Sequence, residues 1–305
     1  MYIGLLSFST RPREQRELRE LSRYRKSLIE ERARELNRLQ KMLEGGNIKL
    51  ASVVSDINGR SARNLLTHML KHDTPLTKED IFGMIHGKLR HKMDAIMKSL
   101  DGFLTPLQKQ LMLKVVDHID DMTKRIGEMD NLINQYLTGY HDAINKLDEI
   151  PGIGRQSAET ILAEIGLDMN RFPTERHFSS WAGLAPGNNE SAKKRRHGRT
   201  TKGNITLKTT LIQCAKAAVK KADSFLSAQY QRLVVRRGAN RATVAVAHTM
   251  LIAIYHMLKD NVPFVDLGAA YYNKFNAQSK INHYLKKLQQ LGWEPNDATI
   301  SVADV

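Results

Sequence analysis

The sequence predicts an all-α protein: a long coiled-coil arm, then a helical domain that contains a helix-hairpin-helix motif. Three observations lead there. Only eight prolines interrupt 305 residues, and a helix interior tolerates almost any residue better than proline. The period-two alternation of a half-buried strand is hard to find anywhere, whereas two long stretches repeat apolar residues at helical spacing. The expected division is an arm over 1–143, a second helical domain over 144–293 and a frayed polar tail over 294–305.

The first helix is expected from Pro12 to Leu43. A narrow stripe of Leu18, Leu21, Leu28, Ile29, Leu36, Leu39 and Leu43 marks it, and Gly45-Gly46 stops it as a C-cap. A second long helix carries Met112, Val115, Ile119, Met122, Ile126, Met129, Ile133 and Tyr136. These follow alternating steps of three and four, the seam of a coiled coil. Such a pair makes either a long hairpin or a dimerising arm. Asp117, Asp120 and Asp121 flank the seam and are read as solvated charges rather than metal ligands.

Further on, LDEIPGIGRQSAETILAEIG over 147–166 has the helix-hairpin-helix pattern. Its glycines allow a tight turn that aims the first N–H groups of the next helix at a phosphate, without reading bases. Gly152, Ile153, Gly154 and Arg155 are the contacts it offers. PTERHFSSWAGL is expected as a short helix capped by Thr174. Three helices follow, over Ile205–Ala222, Ser224–Arg237 and Arg241–Leu258; Gly203-Asn204 opens the first, and the third is apolar almost all round and therefore central. A last amphipathic helix is expected near Lys280–Leu291. In this region His248 reads as a core histidine, Trp181 as a packing anchor that could also stack on a base, and Tyr271-Tyr272 as a lid on the core that could instead touch DNA.

Charge narrows the function classes. Lys and Arg exceed Asp and Glu by 15, and the pI is about 9.8, which calls for a polyanionic partner. No apolar run approaches the ~18 residues of a membrane span, and the opening lacks a basic secretory n-region. The single cysteine, Cys214, excludes a disulfide framework and fits a reducing cytoplasm. Between Gly183 and Arg241 stand fourteen Lys or Arg and two acids, Glu190 and Asp223, so most of the excess charge is local. Arg232, Arg236 and Arg237 are expected to contact phosphates, with a solvated cationic face as the rival reading.

The densest part is GLAPGNNESAKKRRHGRTTKGN, 183–204. A hydroxyl nucleophile, Ser191, directly precedes Lys193, Lys194, Arg195, Arg196, Arg199 and Lys202. Attack on a phosphodiester passes through a phosphorane with extra negative charge, and fixed cations around it lower the barrier. His197, or water near a metal, could take the proton. Standing alone, the pattern also describes an ordinary basic loop.

The motif order WAGL-x-PGNNESA, the cations, then GRT-x-KGN, preceded by IPGIGR…ILAEIG and followed by VAVAH, resembles the transposase family of insertion sequences 110, 116 and 902, the bridge-RNA-guided serine recombinases. The resemblance runs from about Ile144 to Trp293, and the arm is similar to the family's coiled-coil region. It implies a transposase whose serine, here Ser191, forms a phosphoserine link to DNA while Lys194, Arg195, Arg196, Arg199 and Lys202 surround it. It also implies DNA ends and target DNA as partners, a structured guide RNA, a dimer or tetramer assembled through the coiled coil, no membrane, and a place in the bacterial cytoplasm at the nucleoid.

Two departures accompany the resemblance. Lys193 stands where the family usually has glycine. The RuvC-like domain with four metal-binding carboxylates does not precede the arm, so the expectation is a truncated or mis-started chain with no metal ligands or cofactor of its own, Mg2+ belonging to the missing domain. The competing expectation is a non-catalytic, dimerising DNA- or RNA-binding remnant.

Overall fold

The computed structural model describes residues 12–185, 190, 191, 194, 195, 200 and 202–291; at 190, 191, 194, 195 and 273–280 it describes the backbone alone. By internal contacts the chain separates into one unit of residues 16–136 and another of 1–15 with 137–305. The division falls at Tyr136/Leu137 rather than after residue 143.

The first unit is built on two long helices, α1 (Arg13–Gly45) and α5 (Pro106–Tyr136). The heptad spacing on α5 is used inside the chain: Met112, Val115, Ile119, Met122, Ile126 and Ile133 are buried. Cross-links show α1 and α5 antiparallel, because partners rise along one as they fall along the other. Tyr136 donates to Glu17 (3.2 Å), Arg25 pairs with Asp130, and Arg32 donates to Thr123 (3.2 Å). Three short helices, α2 (Arg60–Lys71), α3 (Lys78–Met84) and α4 (Met93–Ser99), cover one end of the pair. They share a core with Leu39, Leu43, Ile48, Leu65, Ile96 and Ile119. Asp120, read from sequence as a solvated charge, pairs with Arg63 of α2. Thr77 and Asp80 form a reciprocal cap on α3, satisfying two backbone donors at once.

The stop after α1 works differently from the sequence expectation. The left-handed residue is Asn47, at φ 63, and not a glycine. Gly46 is needed for packing, since a Cβ there would meet Leu104 Cδ2 at 2.5 Å while Phe103 donates to the Gly46 carbonyl (3.0 Å).

The second unit places α11 (Ala239–Lys259) at its centre, against α6 (His141–Asp148), α8 (Glu175–Ala182), α9 (Ile205–Ala218) and α10 (Phe225–Arg237). Val246, Ala247, Met250, Leu251 and Ile254 are fully enclosed. By length and composition α11 could cross a membrane, contrary to the expectation that no apolar run approaches such a span, yet half of that window is buried within the chain. α7 (Arg155–Ile165) packs on both α6 and α9. The start of α1 joins this unit through Gln15, whose amide donates to the carbonyls of Leu162 (3.1 Å) and Ala163 and accepts from Tyr140 (2.9 Å). The last helix, α12, runs over Tyr271–Gln290, about two and a half turns ahead of the expected start. The tail from residue 292 lies outside the described residues.

One departure from an all-helical chain falls inside the basic loop. Glu190–Ser191 (β1) and Lys194–Arg195 (β2) form a two-stranded antiparallel pair, Glu190 opposite Arg195 and Ser191 opposite Lys194.

Candidate functional site

The basic loop leaves the helical core after α8 and returns at α9, and its two stems are locked together. Thr174 caps α8, accepting from His177 N (3.4 Å). The aromatic side of α8 then seats against the core: Phe178 and Trp181 are stacked at 6.1 Å, and Phe172 lies 5.2 Å from Trp181. Trp181 is therefore a packing anchor in this structure. Gly183 ends α8 in the left-handed region, φ 73, and Leu184 and Ala185 turn back to donate to the Ser179 carbonyl at 3.0 and 3.1 Å.

The returning stem presses on that turn. A Cβ on Gly203 would lie 2.3 Å from the nitrogen of Gly183 and 2.5 Å from its Cα, so backbone meets backbone and only glycine fits. Besides accepting from Lys208 N through its carbonyl, Asn204 makes three bonds that tie the stem. Its N–H donates to Trp181 O (3.2 Å), its Oδ1 caps α9 by accepting from Leu207 N (3.1 Å), and its Nδ2 donates to Glu164 Oε2 (2.6 Å). Glu164, near the end of α7, is wholly buried. A carboxylate is almost never so placed without hydrogen-bond partners. Lys208, one turn into α9, adds a clasp by donating to Thr200 Oγ1 (2.6 Å).

Sequence reasoning found Gly203-Asn204 as a helix entry but missed Glu164, Lys208 and Thr200. Their signal exists only in part: a Glu inside the apolar run ILAEIG is out of pattern, but nothing in it points forty residues downstream.

Seen from this root, the expected site residues divide. Ser191, Lys194 and Arg195 are brought into backbone register by the β1–β2 pair. Lys193, Arg196, Arg199 and the proposed base His197 lie outside the described residues. Lys202 stands exposed on the returning stem.

The turn between α6 and α7 was the second expected contact. Gly152 takes φ 84 and packs against α9, where a Cβ would meet Cys214 O at 2.3 Å and Ala218 N at 2.5 Å. The fold demands glycine there. Gly154 is different: its φ is −94, a Cβ would meet nothing within 4 Å, and it leaves α7 without a side-chain cap. Ile153 is buried, whereas Arg155 is exposed and donates to Glu159 at 3.1 Å.

Because Gly152 touches the C-terminal end of α9 and Asn204 opens its N-terminal end, the turn and the loop root stand about 20 Å apart, the length of fourteen residues at about 1.5 Å each. α7 spans the same interval in the opposite direction, from Gly154 to Glu164. The two expected contacts are thus separate points on one packed pair of helices.

The α10 arginines have unequal surroundings. Arg236 and Arg237 are exposed in the last turn of the helix, just before Gly238 at φ 76. Arg232 holds its guanidinium 5.0 Å above the ring of Tyr272, which in turn stacks on Phe225 at 5.1 Å. Burial raises the Tyr272 phenol above its ordinary range, against the lowering pull of Arg232. Burial likewise raises the Cys214 thiol, so this cysteine is an inert core residue. His248 is half-buried and desolvation lowers its pKa.

Among the described residues no three His, Cys, Asp or Glu side chains group as a metal would require.

Residues 144–231 match a family model described as the transposase IS116/IS110/IS902 family. That interval contains the α6–α7 turn, the loop root and Ser191. Over 159 residues the chain is 30% identical to a transposase for insertion sequence element IS1111A from Coxiella burnetii, covering 51% of this chain and 43% of the relative. It is 32% identical over 117 residues to an uncharacterised 43.6 kDa protein of insertion element IS110 from Streptomyces coelicolor, covering 37% of this chain and 28% of the relative. The chain therefore spans less than half the length of these relatives.

Proposed function

We propose that this chain is a transposase of an insertion sequence, with Ser191 as the nucleophile that cuts and rejoins DNA. The supporting observation is the loop root: two glycines in backbone contact and the Glu164–Asn204 bond close a basic loop inside the family-matched interval, with Ser191 in register with Lys194. A short hairpin on a fixed root holds a hydroxyl near cations at little entropic cost when DNA arrives, and positioning is worth much of the rate in reactions of this type.

In the proposed step the Ser191 oxygen attacks a backbone phosphorus, an Oγ–P bond forms, and one P–O ester bond of the strand breaks. The departing strand end leaves as a hydroxyl, and the serine proton passes to a base, for which His197 is the candidate. Attack by another strand's hydroxyl on the phosphoserine reverses these events and returns the serine. The number of phosphodiester-type bonds is unchanged throughout, so no outside energy source is needed. Lys194, Arg195 and Lys202, with Lys193, Arg196 and Arg199, offset the charge that develops on phosphorus. Gly154, free of any packing duty, leaves the start of α7 open to a second backbone phosphate. Arg155, Arg236 and Arg237 add charge on the same unit.

DNA ends, target DNA and a structured guide RNA are the proposed partners, in an assembly of two or more copies. Mg2+ chemistry belongs to an acidic domain other than the described residues.

The test is a covalent-adduct assay with the purified chain, supercoiled element DNA and guide RNA in a divalent-cation buffer. The wild-type chain is expected to give a protein–DNA species stable in denaturing gels, and Ser191→Ala is expected to give none while retaining salt-sensitive DNA binding. An adduct that survives in Ser191→Ala defeats the nucleophile assignment. No adduct from either chain, with binding intact, would instead support the DNA- or RNA-binding remnant.

A further inference from the structure

A second cationic feature lies in the first unit, on the segment after α3. Phe82 on α3 is 50% exposed, although its neighbour Ile81 is buried. After α3 a tight turn, Gly87–Lys92, begins at Gly87 with φ 58 and presents Lys88, Arg90 and His91 to solvent. The Arg90 guanidinium sits 4.5 Å from the centre of the Phe82 ring.

The turn is anchored at both ends. His86 N donates to Ser61 Oγ at 3.1 Å, and Lys92 Nζ donates to the Val53 carbonyl at 3.2 Å. The neighbouring carboxylate Asp94 is engaged by Lys78 at 3.6 Å. Among the described residues neither Lys88 nor Arg90 has a carboxylate partner.

We propose that this turn binds single-stranded nucleic acid, one base stacking on the Arg90–Phe82 pair while Lys88 and His91 meet the flanking phosphates. A half-exposed phenyl ring capped by an unneutralised guanidinium offers a flat, cationic face, which suits a base. Only an unstacked base can reach such a face, so a single strand is favoured over a duplex. An acidic peptide would use the cations and ignore the ring. The inference is independent of the role given to Ser191.

The experiment uses the whole chain with labelled oligouridylate, oligothymidylate and duplex DNA, each about 15 nucleotides or base pairs long, a length near one single-strand site. Phe82→Leu keeps an apolar side chain and is expected to weaken single-strand binding about tenfold, with duplex affinity and Tm unchanged. Arg90→Gln is expected to do the same and to flatten the salt dependence by about one counterion. Thiouridine placed in the oligouridylate is expected to cross-link within residues 82–92. Tighter oligouridylate binding assigns the site to RNA; equal binding assigns it to any single strand. Unchanged single-strand affinity in both variants, together with no cross-link in that segment, overturns the proposal. So does a polyglutamate peptide that competes equally well against wild type and Phe82→Leu.

Discussion

Gly152 and Gly154 stand two residues apart and answer to different constraints. At Gly152 the left-handed φ and the carbonyl of Cys214 both forbid a side chain. Gly152→Ala is expected to lower stability by about 3 kcal/mol or more, the range for a backbone clash added to φ strain, read as a fall in Tm. Gly154→Ala meets open space and is expected to leave Tm nearly unchanged. A larger residue there, Gly154→Glu, should weaken duplex binding by placing a carboxylate at the helix start. Asn204 offers a second residue-level test. Asn204→Ala removes a helix cap and leaves the buried Glu164 carboxylate short of a donor, for an expected loss of about 2–4 kcal/mol. Calorimetry of Asn204→Ala, Glu164→Gln and the double variant should show strong non-additivity, because both act on one bond. Additive effects would mean that the pair does not hold the loop root together.

At the scale of elements, α5 shows a repeat satisfied inside the chain. Ile119 is fully enclosed between α5 and its neighbours, so Ile119→Ala is expected to cost about 2–4 kcal/mol. Since its contacts are internal, the drop in Tm should be the same at low and high protein concentration; a drop that vanishes on dilution would point to contacts between copies. On α11 the packing creates a pH dependence. Desolvation lowers the His248 pKa, so the unfolded chain binds this proton more readily than the folded one. The histidine's contribution is present above its ordinary value of about 6.5 and is lost as pH falls through the folded value. His248→Gln should remove that part of the decline in stability on acidification. Parallel curves for wild type and variant between pH 7 and 5 would show that the ring is effectively solvated.

For the whole molecule, the excess of cations between 183 and 241 is expected to govern association with a polyanion. Duplex binding is expected to weaken linearly in a double-logarithmic plot against salt, and Arg236→Ala and Arg237→Ala should each reduce the slope by about one if both meet phosphates. Arg232→Ala should change the slope less, because its guanidinium already rests on Tyr272. Much of this was legible in the linear chain. The scarcity of proline, the spacing on α5, the caps at Thr174 and Asn204 and the apolar run of α11 are local signals, and local hydrogen bonding and periodic burial are enough to set them. The αL position at Asn47 was misplaced, because Gly46 was needed for a packing contact that sequence does not display. Arg63–Asp120 and Lys208–Thr200 went unread for the same reason: each pair meets only after separate segments fold together.

By itself the sequence determined the helical class, the long helices, the caps at Thr174 and Asn204, the concentration of positive charge and the serine that precedes it. Only the tertiary structure decided that the α5 repeat is buried against its own chain, that Gly183 and Gly203 touch, and that a carboxylate inside α7 holds the entry to α9. The physical reason is range. Helix formation and charge density are fixed within a few residues, whereas the closing of a loop depends on which distant backbones can approach without a side chain between them.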